Sequence, residues 1–95
     1  MNYEVIFGKE FTKIFAKLQK KNKLQSEIII KKIREIKNNP EHYKPLSYDL
    51  KGYKRVHIDS SFVLVFKLQV NIIKIIDYDH HDNIYKKIEK WRKEN

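Results

Sequence analysis

The residues of this chain best suited to chemistry are four histidines, His42, His57, His80 and His81, with Arg55 two positions before one and Tyr85 four after another. Imidazole exchanges protons near neutrality because its unperturbed pKa is about 6.5. A guanidinium grips phosphate through a planar fork of donors, and a phenol donates a hydrogen bond or stacks on a base. Together such groups could cut a phosphodiester by transesterification. The 2′-hydroxyl then loses a proton, the 5′-oxygen gains one, and the crowded phosphate has its added charge stabilised. The plainer reading is that a histidine in a lysine-rich chain is a surface residue and that Arg55 lies on a solvated strand face. A third reading takes Asp77, Asp79, His80, His81 and Asp82 as ligands of a transition metal. Against it, neighbours on an extended strand point to opposite faces, and no second cluster completes the set.

Hydropathy patterning supplies the elements that must position these groups. Tyr3 to Phe7 reads as a strand closed by Gly8, and Phe11, Ile14, Phe15 and Leu18 recur at helical spacing among lysines. Lys9, Lys13, Lys17, Lys20 and Lys21 form a solvated helix face, or one that touches RNA. After a polar break at Lys21 to Lys23, the residues Leu24, Ile28, Ile29, Ile33 and Ile36 mark a second helix that ends at Asn38, Asn39 and Pro40. So short a joint predicts a helical hairpin. Glu41 to Asp49 is irregular. In Tyr53 to Ile58, Val56 and Ile58 alternate with Arg55 and His57, which puts the basic pair on the face away from the aliphatics. Asp59 to Ser61 makes a turn. In the next strand Phe62, Leu64, Phe66 and Leu68 share one face, and Val63, Val65 and Lys67 the other. Ile72 to Ile76 reads as a largely buried central strand. Asp82 caps a short last helix through Ile84, Tyr85, Ile88 and Trp91. The order predicts an α+β fold in one domain, residues 1–95.

The 95 residues include 21 lysines and arginines against 12 acidic residues, a formal charge of +9 that attracts any polyanion before specific contacts form. RNA, DNA, an anionic membrane and an acidic protein all fit that charge. With no cysteine, disulfides and thiolate metal sites are excluded, and a reducing compartment, the cytoplasm, is expected. The first residues lack a basic region followed by an apolar one, and the longest apolar runs, Ile28 to Ile30 and Phe62 to Phe66, are far short of a membrane span.

Two strings are more specific than any residue alone. Lys44-Pro45-Leu46 followed by Asp49-Leu50-Lys51-Gly52-Tyr53-Lys54-Arg55-Val56-His57-Ile58 resembles the RelE superfamily of toxins. Phe62 to Phe66 followed by Ile75-Ile76-Asp77-Tyr78-Asp79-His80-His81-Asp82-Asn83-Ile84-Tyr85 is similar to that family's penultimate strand and its closing histidine tract. The likeness runs from the first strand to Tyr85. It implies a RelE-like fold: an N-terminal strand, a helical hairpin, a small curved and mainly antiparallel sheet, and a short C-terminal helix. It also implies a type II toxin that enters the ribosomal A site and cuts mRNA, inhibits translation, needs no cofactor or metal, and is held inactive by a cognate acidic antitoxin. The superfamily includes ParE-like inhibitors of DNA gyrase, so the fold leaves that activity open, as it does a non-catalytic RNA-binding protein.

Within the superfamily the histidine positions resemble the YafQ branch, which implies His57 and His81 as the proton carriers, in roles left unassigned. Arg55 would grip phosphate, and Tyr85 would bond to phosphate or stack. Lys44, Lys51, Lys54, Phe62 and His80 would bind RNA. His80 fits one family register and His81, four before Tyr85, fits the YafQ register. Two departures stand out. Lys44 replaces a histidine often found in that branch, and Val63 stands where many RelE relatives carry a catalytic arginine, so RelE's mechanism does not transfer directly.

Overall fold

The computed structural model describes residues 2–94. Strand β1 (Glu4–Phe7) leads into helices α1 (Lys9–Lys21) and α2 (Lys23–Asn38) and a 3-10 turn, Pro40–His42. After an irregular segment come β2 (Tyr53–His57), β3 (Phe62–Gln69), β4 (Ile72–His80) and helix α3 (His81–Glu94). The strands form one sheet in the order β1-β4-β3-β2, with β1 parallel to β4 and the other pairs antiparallel.

The helical hairpin turns on one residue. Asn22 ends α1 by donating its N–H to Leu18 O, and its side chain starts α2 by accepting the N–H of Gln25 at 3.1 Å. Phe11 and, from α2, Ile29, Ile33 and Ile36 pack onto Val56, Leu64, Phe66, Ile73 and Ile75. Burying each such side chain stabilises by about 1.5–3 kcal/mol. Leu24, at 69% exposed, and Ile28 fall outside that stripe. The buried spacing is Ser26, Ile29, Ile33, Ile36, one helix face narrower than the sequence suggests.

The opposite sheet face carries the other core. Val63, Val65 and Tyr53 lie under Ile84, Ile88 and Trp91 of α3, joined by Leu46 and Leu50 of the irregular segment. The strand buried on both faces is therefore β3, whose Val63, Leu64, Val65 and Phe66 have no exposed surface, whereas in β4 Ile72 and Lys74 reach solvent. Much of the string that carried the family resemblance is structural. Leu46, Leu50 and Tyr53 are core residues, Asp49 binds Arg92 of α3, and Gly52 takes φ +84° with Leu68 O against it, where a Cβ would collide.

Three features depart from the sequence reading. β4 extends four residues past Ile76, α3 begins at His81 and is one residue longer than the first helix, and Asp82 lies inside it rather than capping it. The register also slips: Val65 pairs with Asp77 but Phe66 with Ile75, so Ile76 is a β-bulge without a partner. Ile73 and Ile75 face the hairpin before the bulge and Tyr78 does so after it, while Asp77 turns to Lys87 of α3.

Candidate active site

Arg55 and His57 lie on the α3 side of β2, paired with Val65 and Val63 of the second core. The alternation read from the sequence holds, but the face is covered by α3 and Arg55 is half-buried. From there its guanidinium donates to the Tyr85 hydroxyl at 2.8 Å. Tyr85 is off the buried stripe of α3, at 40% exposed, with its oxygen held where a bound phosphate would meet both groups. His57 is exposed at the end of β2, and its side chain makes no hydrogen bond among the described residues.

The histidine pair closes the same end of the sheet. His81 N donates to Ser61 O at 2.8 Å, tying the start of α3 to the β2–β3 turn, where Asp59 Oδ1 accepts the N–H groups of Ser61 and Phe62. Those two N–H groups hold the Asp59 carboxyl below the usual carboxylate range. His81 Nδ1 lies 2.9 Å from Asp82 Oδ1, which sets the neutral ring's proton on Nδ1 and leaves Nε2 as acceptor. His80 has the reverse arrangement, since its Nδ1 accepts the N–H of Asp82 at 3.2 Å and its proton belongs on Nε2. The two rings sit 4.5 Å apart. The chain passes from strand to helix between them, so the alternation that set neighbours on opposite faces fails here. His80, His81 and Asp82 offer possible ligand atoms within 4.8 Å of one another.

Phe62 lies on the hairpin side of the sheet, stacked on Tyr78 at 5.3 Å and edge-on to His80 at 5.9 Å. His57 pairs with Val63 and Val63 with Asp79, two residues before His81. The two histidine-bearing backbones are thus roughly 10 Å apart, two strand spacings, with β3 between them.

The proposed lysines do not gather in one place. Lys44 is beside the site, its carbonyl accepting the Arg55 N–H at 3.1 Å and its side chain exposed. Lys54 is on the opposite face, where its ammonium holds Tyr43 O at 2.8 Å. Lys51 lies at the far end of β2 from His57. Val63 is fully buried beneath α3, so its position contributes packing and no cation.

A supporting network was not anticipated. Lys87 Nζ reaches Asp77 Oδ2 at 2.8 Å and Asp79 Oδ2 at 3.2 Å, and Asn83 donates to Asp79 Oδ1. Burial pushes the Lys87 ammonium down, but the two carboxylates outweigh it and raise it above the ordinary lysine value. Burial likewise pushes Asp79 up, and hydrogen bonds from Asn83, the His80 N–H and Lys87 bring it below the carboxylate range. This network fixes the first turns of α3, and with them Tyr85 and His81. The i, i+2 spacing of Asp77 and Asp79 and the i, i+4 spacing of Asn83 and Lys87 were its sequence signals.

The chain is thus a basic α+β domain with a helical hairpin on one sheet face, Arg55 and Tyr85 bonded on the other, and histidines at the end of the sheet. Residues 5–85 match the family described as "ParE toxin of type II toxin-antitoxin system, parDE". The chain belongs to that family, within the RelE/ParE toxin superfamily. It is 49% identical over 87 residues to a Methanocaldococcus jannaschii protein named "Putative toxin RelE4", spanning 90% of this chain and 93% of that one. It is also 52% identical over 73 residues to an uncharacterized Methanosarcina mazei protein, spanning 75% and 85% of the two. In fold it is similar to the E. coli DinJ–YafQ toxin–antitoxin complex, at TM-score 0.73 and 18% identity over 90% of this chain and 99% of that one. The YoeB–YefM complex of Staphylococcus aureus gives TM-score 0.71 and 22% identity over 85% and 99%.

Proposed function

We propose that this chain is a metal-independent endoribonuclease that cuts mRNA in the ribosomal A site and so inhibits translation. The observation that carries the reading is the Arg55–Tyr85 hydrogen bond, which holds a guanidinium and a phenol on the face that ends in His57, with His81 closing the same end of the sheet. A phosphate at Arg55 and Tyr85 would have its charge stabilised as it grows in the transition state. His81, with Nε2 free to accept, suits the base that takes the 2′-hydroxyl proton, and His57 suits the acid that protonates the 5′-oxygen. His80, Phe62 and Lys44 would hold the RNA, while the geometry gives Lys51 and Lys54 little access to it. Relatives in fold are solved with antitoxins bound, which supports a cognate acidic antitoxin for this basic chain.

The family's description as ParE toxins favours a second reading, inhibition of DNA gyrase, which needs no proton carriers. Sequencing RNA 5′ ends and mapping DNA breaks after induction separates the two. Codon-linked mRNA cuts that vanish in the Arg55→Ala chain are expected. DNA breaks without such cuts would replace the nuclease reading with the gyrase one.

A further inference from the structure

The junction of β4 and α3 gathers more ligand chemistry than proton transfer uses. β4 ends at His80 and α3 begins at His81, and this change of backbone sets two neighbouring imidazoles side by side. On a continuing strand they would point to opposite faces. The Asp82 carboxylate lies against both rings, Oδ1 at 2.9 Å from His81 Nδ1 and Oδ2 at 3.7 Å from His80 Nδ1. One ligand atom from each of the three residues lies within 4.8 Å of the other two.

Two imidazoles and one carboxylate are ligands that zinc takes in sites with three protein ligands and one open position. Zinc bonds of about 2.0–2.2 Å put tetrahedral ligands roughly 3.3–3.6 Å apart. The two imidazole–carboxylate distances bracket that separation, and rotation of side chains that are 39% exposed in both histidines and 67% in Asp82 closes the rest. The backbone is already held by the His81 N–H on Ser61 O, and the His80 ring is steadied by its edge contact with Phe62. Asp82 is available as well. Among the described residues its carboxylate pairs with no lysine or arginine, whereas Asp77 and Asp79 are taken by Lys87 and Asp59 by the N–H groups of the β2–β3 turn. For His80 to bind through Nδ1, the Asp82 N–H on that atom must give way. It belongs to the first turn of α3, where an amide has no helical partner and water can take it.

We propose that His80, His81 and Asp82 bind a divalent ion of the zinc class, and that the bound ion silences the site by occupying the His81 imidazole. The ligand set selects the metal, because imidazole suits zinc, copper and nickel whereas magnesium keeps to oxygen ligands. In the free chain Asp82 holds the His81 proton on Nδ1 and leaves Nε2 to accept. A metal on Nδ1 displaces that proton. The neutral ring then carries its proton on Nε2, where it cannot take another from a 2′-hydroxyl. The silencing rests on the nuclease reading; the metal site does not.

The test titrates zinc chloride onto the chelator-treated full chain by calorimetry. One zinc per chain should bind saturably, and excess magnesium should not displace it. His80→Ala, His81→Ala and Asp82→Ala should each weaken binding by at least the roughly tenfold that loss of even an outer partner costs, while His42→Ala and His57→Ala change it by less than about twofold. Thermal melts establish that the variants remain folded. Absent binding, binding that the three variants leave unchanged, or binding lost in His42→Ala or His57→Ala instead would overturn the site. On programmed ribosomes, saturating zinc should lower cleavage by at least about tenfold, and the cleavage that His80→Ala retains should resist the same zinc concentration. Bound zinc that leaves cleavage unchanged, or cleavage that requires zinc, would overturn the silencing. Calorimetry reads the site without RNA. A chain that binds zinc through these three residues yet cuts no RNA would remove the nuclease reading, and the silencing with it, and leave the metal site standing.

Discussion

The two faces of the sheet are built from the same kinds of strand residue but finished differently. On the hairpin face two helices bury a continuous aliphatic and aromatic layer, from Phe11 and Ile29 to Phe66 and Ile75. On the α3 face a single helix covers half the area, and its anchors include the Asp77–Lys87–Asp79 ion network and the exposed Arg55–Tyr85 bond. The hairpin face secures the fold because it asks nothing of water. The α3 face tolerates charge because its uncovered margin lets side chains stay hydrated, and the four candidate catalytic groups, Arg55, His57, His81 and Tyr85, belong to it or to its end.

The sharpest way to break this contrast uses neighbours on β2 that point to opposite faces. Val56→Asp places an unpaired carboxylate in the hairpin core, at a cost of several kcal/mol that rivals the whole stability of about 5 kcal/mol expected for a small domain. It should unfold the chain. Arg55→Ala should remove RNA cleavage while lowering stability by only about 0.5–1.5 kcal/mol, the worth of the Tyr85 bond. Urea melts of both variants measure this, and equal losses would mean that the faces are not distinct.

Next in size is the histidine pair. His81→Ala should reduce cleavage on programmed ribosomes by roughly 10²- to 10⁴-fold with ribosome affinity little changed, because proton transfer and charge attraction are separate. His80→Ala should cost much less, since that ring packs on Phe62 and its Nδ1 is occupied. A reversed order would move the proton carrier to His80.

The ion network sharpens the comparison through pH. Lys87→Met leaves the nearly fully buried Asp77 carboxylate without its ammonium and should cost about 1–3 kcal/mol. Asp79 sits below its unfolded value of about 3.9, so its contribution is present above that pH and disappears as pH falls through the folded value. Lys87 sits above its unfolded value of about 10.4, so its share is complete below that pH and is lost as pH rises through the folded value. Stability curves of Asp79→Asn should therefore be flatter than the parent's below about pH 4. An unchanged acid limb would place the acid-sensitive group elsewhere.

The smallest effect lies outside both faces. Val70, 87% exposed in the β3–β4 turn, has φ +57°, a left-handed conformation that costs an L-residue roughly 1–2 kcal/mol. Val70→Gly should raise the melting temperature modestly, by about 0.5–1 kcal/mol of stability once the greater freedom of unfolded glycine is counted. A lower melting temperature would show that the valine side chain has a stabilising contact.

By itself the sequence determined the helical hairpin, the order of strands and helices, the two faces of β2 and β3, and the strings that mark the superfamily. These follow from short-range periodicity, which a chain carries whatever its partners. The tertiary structure decided the rest. The bulge at Ile76 exists only because β3 and β4 pair in a particular register, and it is what turns Tyr78 to the hairpin and Asp77 to Lys87. The Arg55–Tyr85 bond joins residues 30 positions apart, and the convergence of His80 and His81 depends on β4 ending where α3 begins. Separations that long are closed by packing of the whole sheet against α3, and no local pattern of residues encodes them.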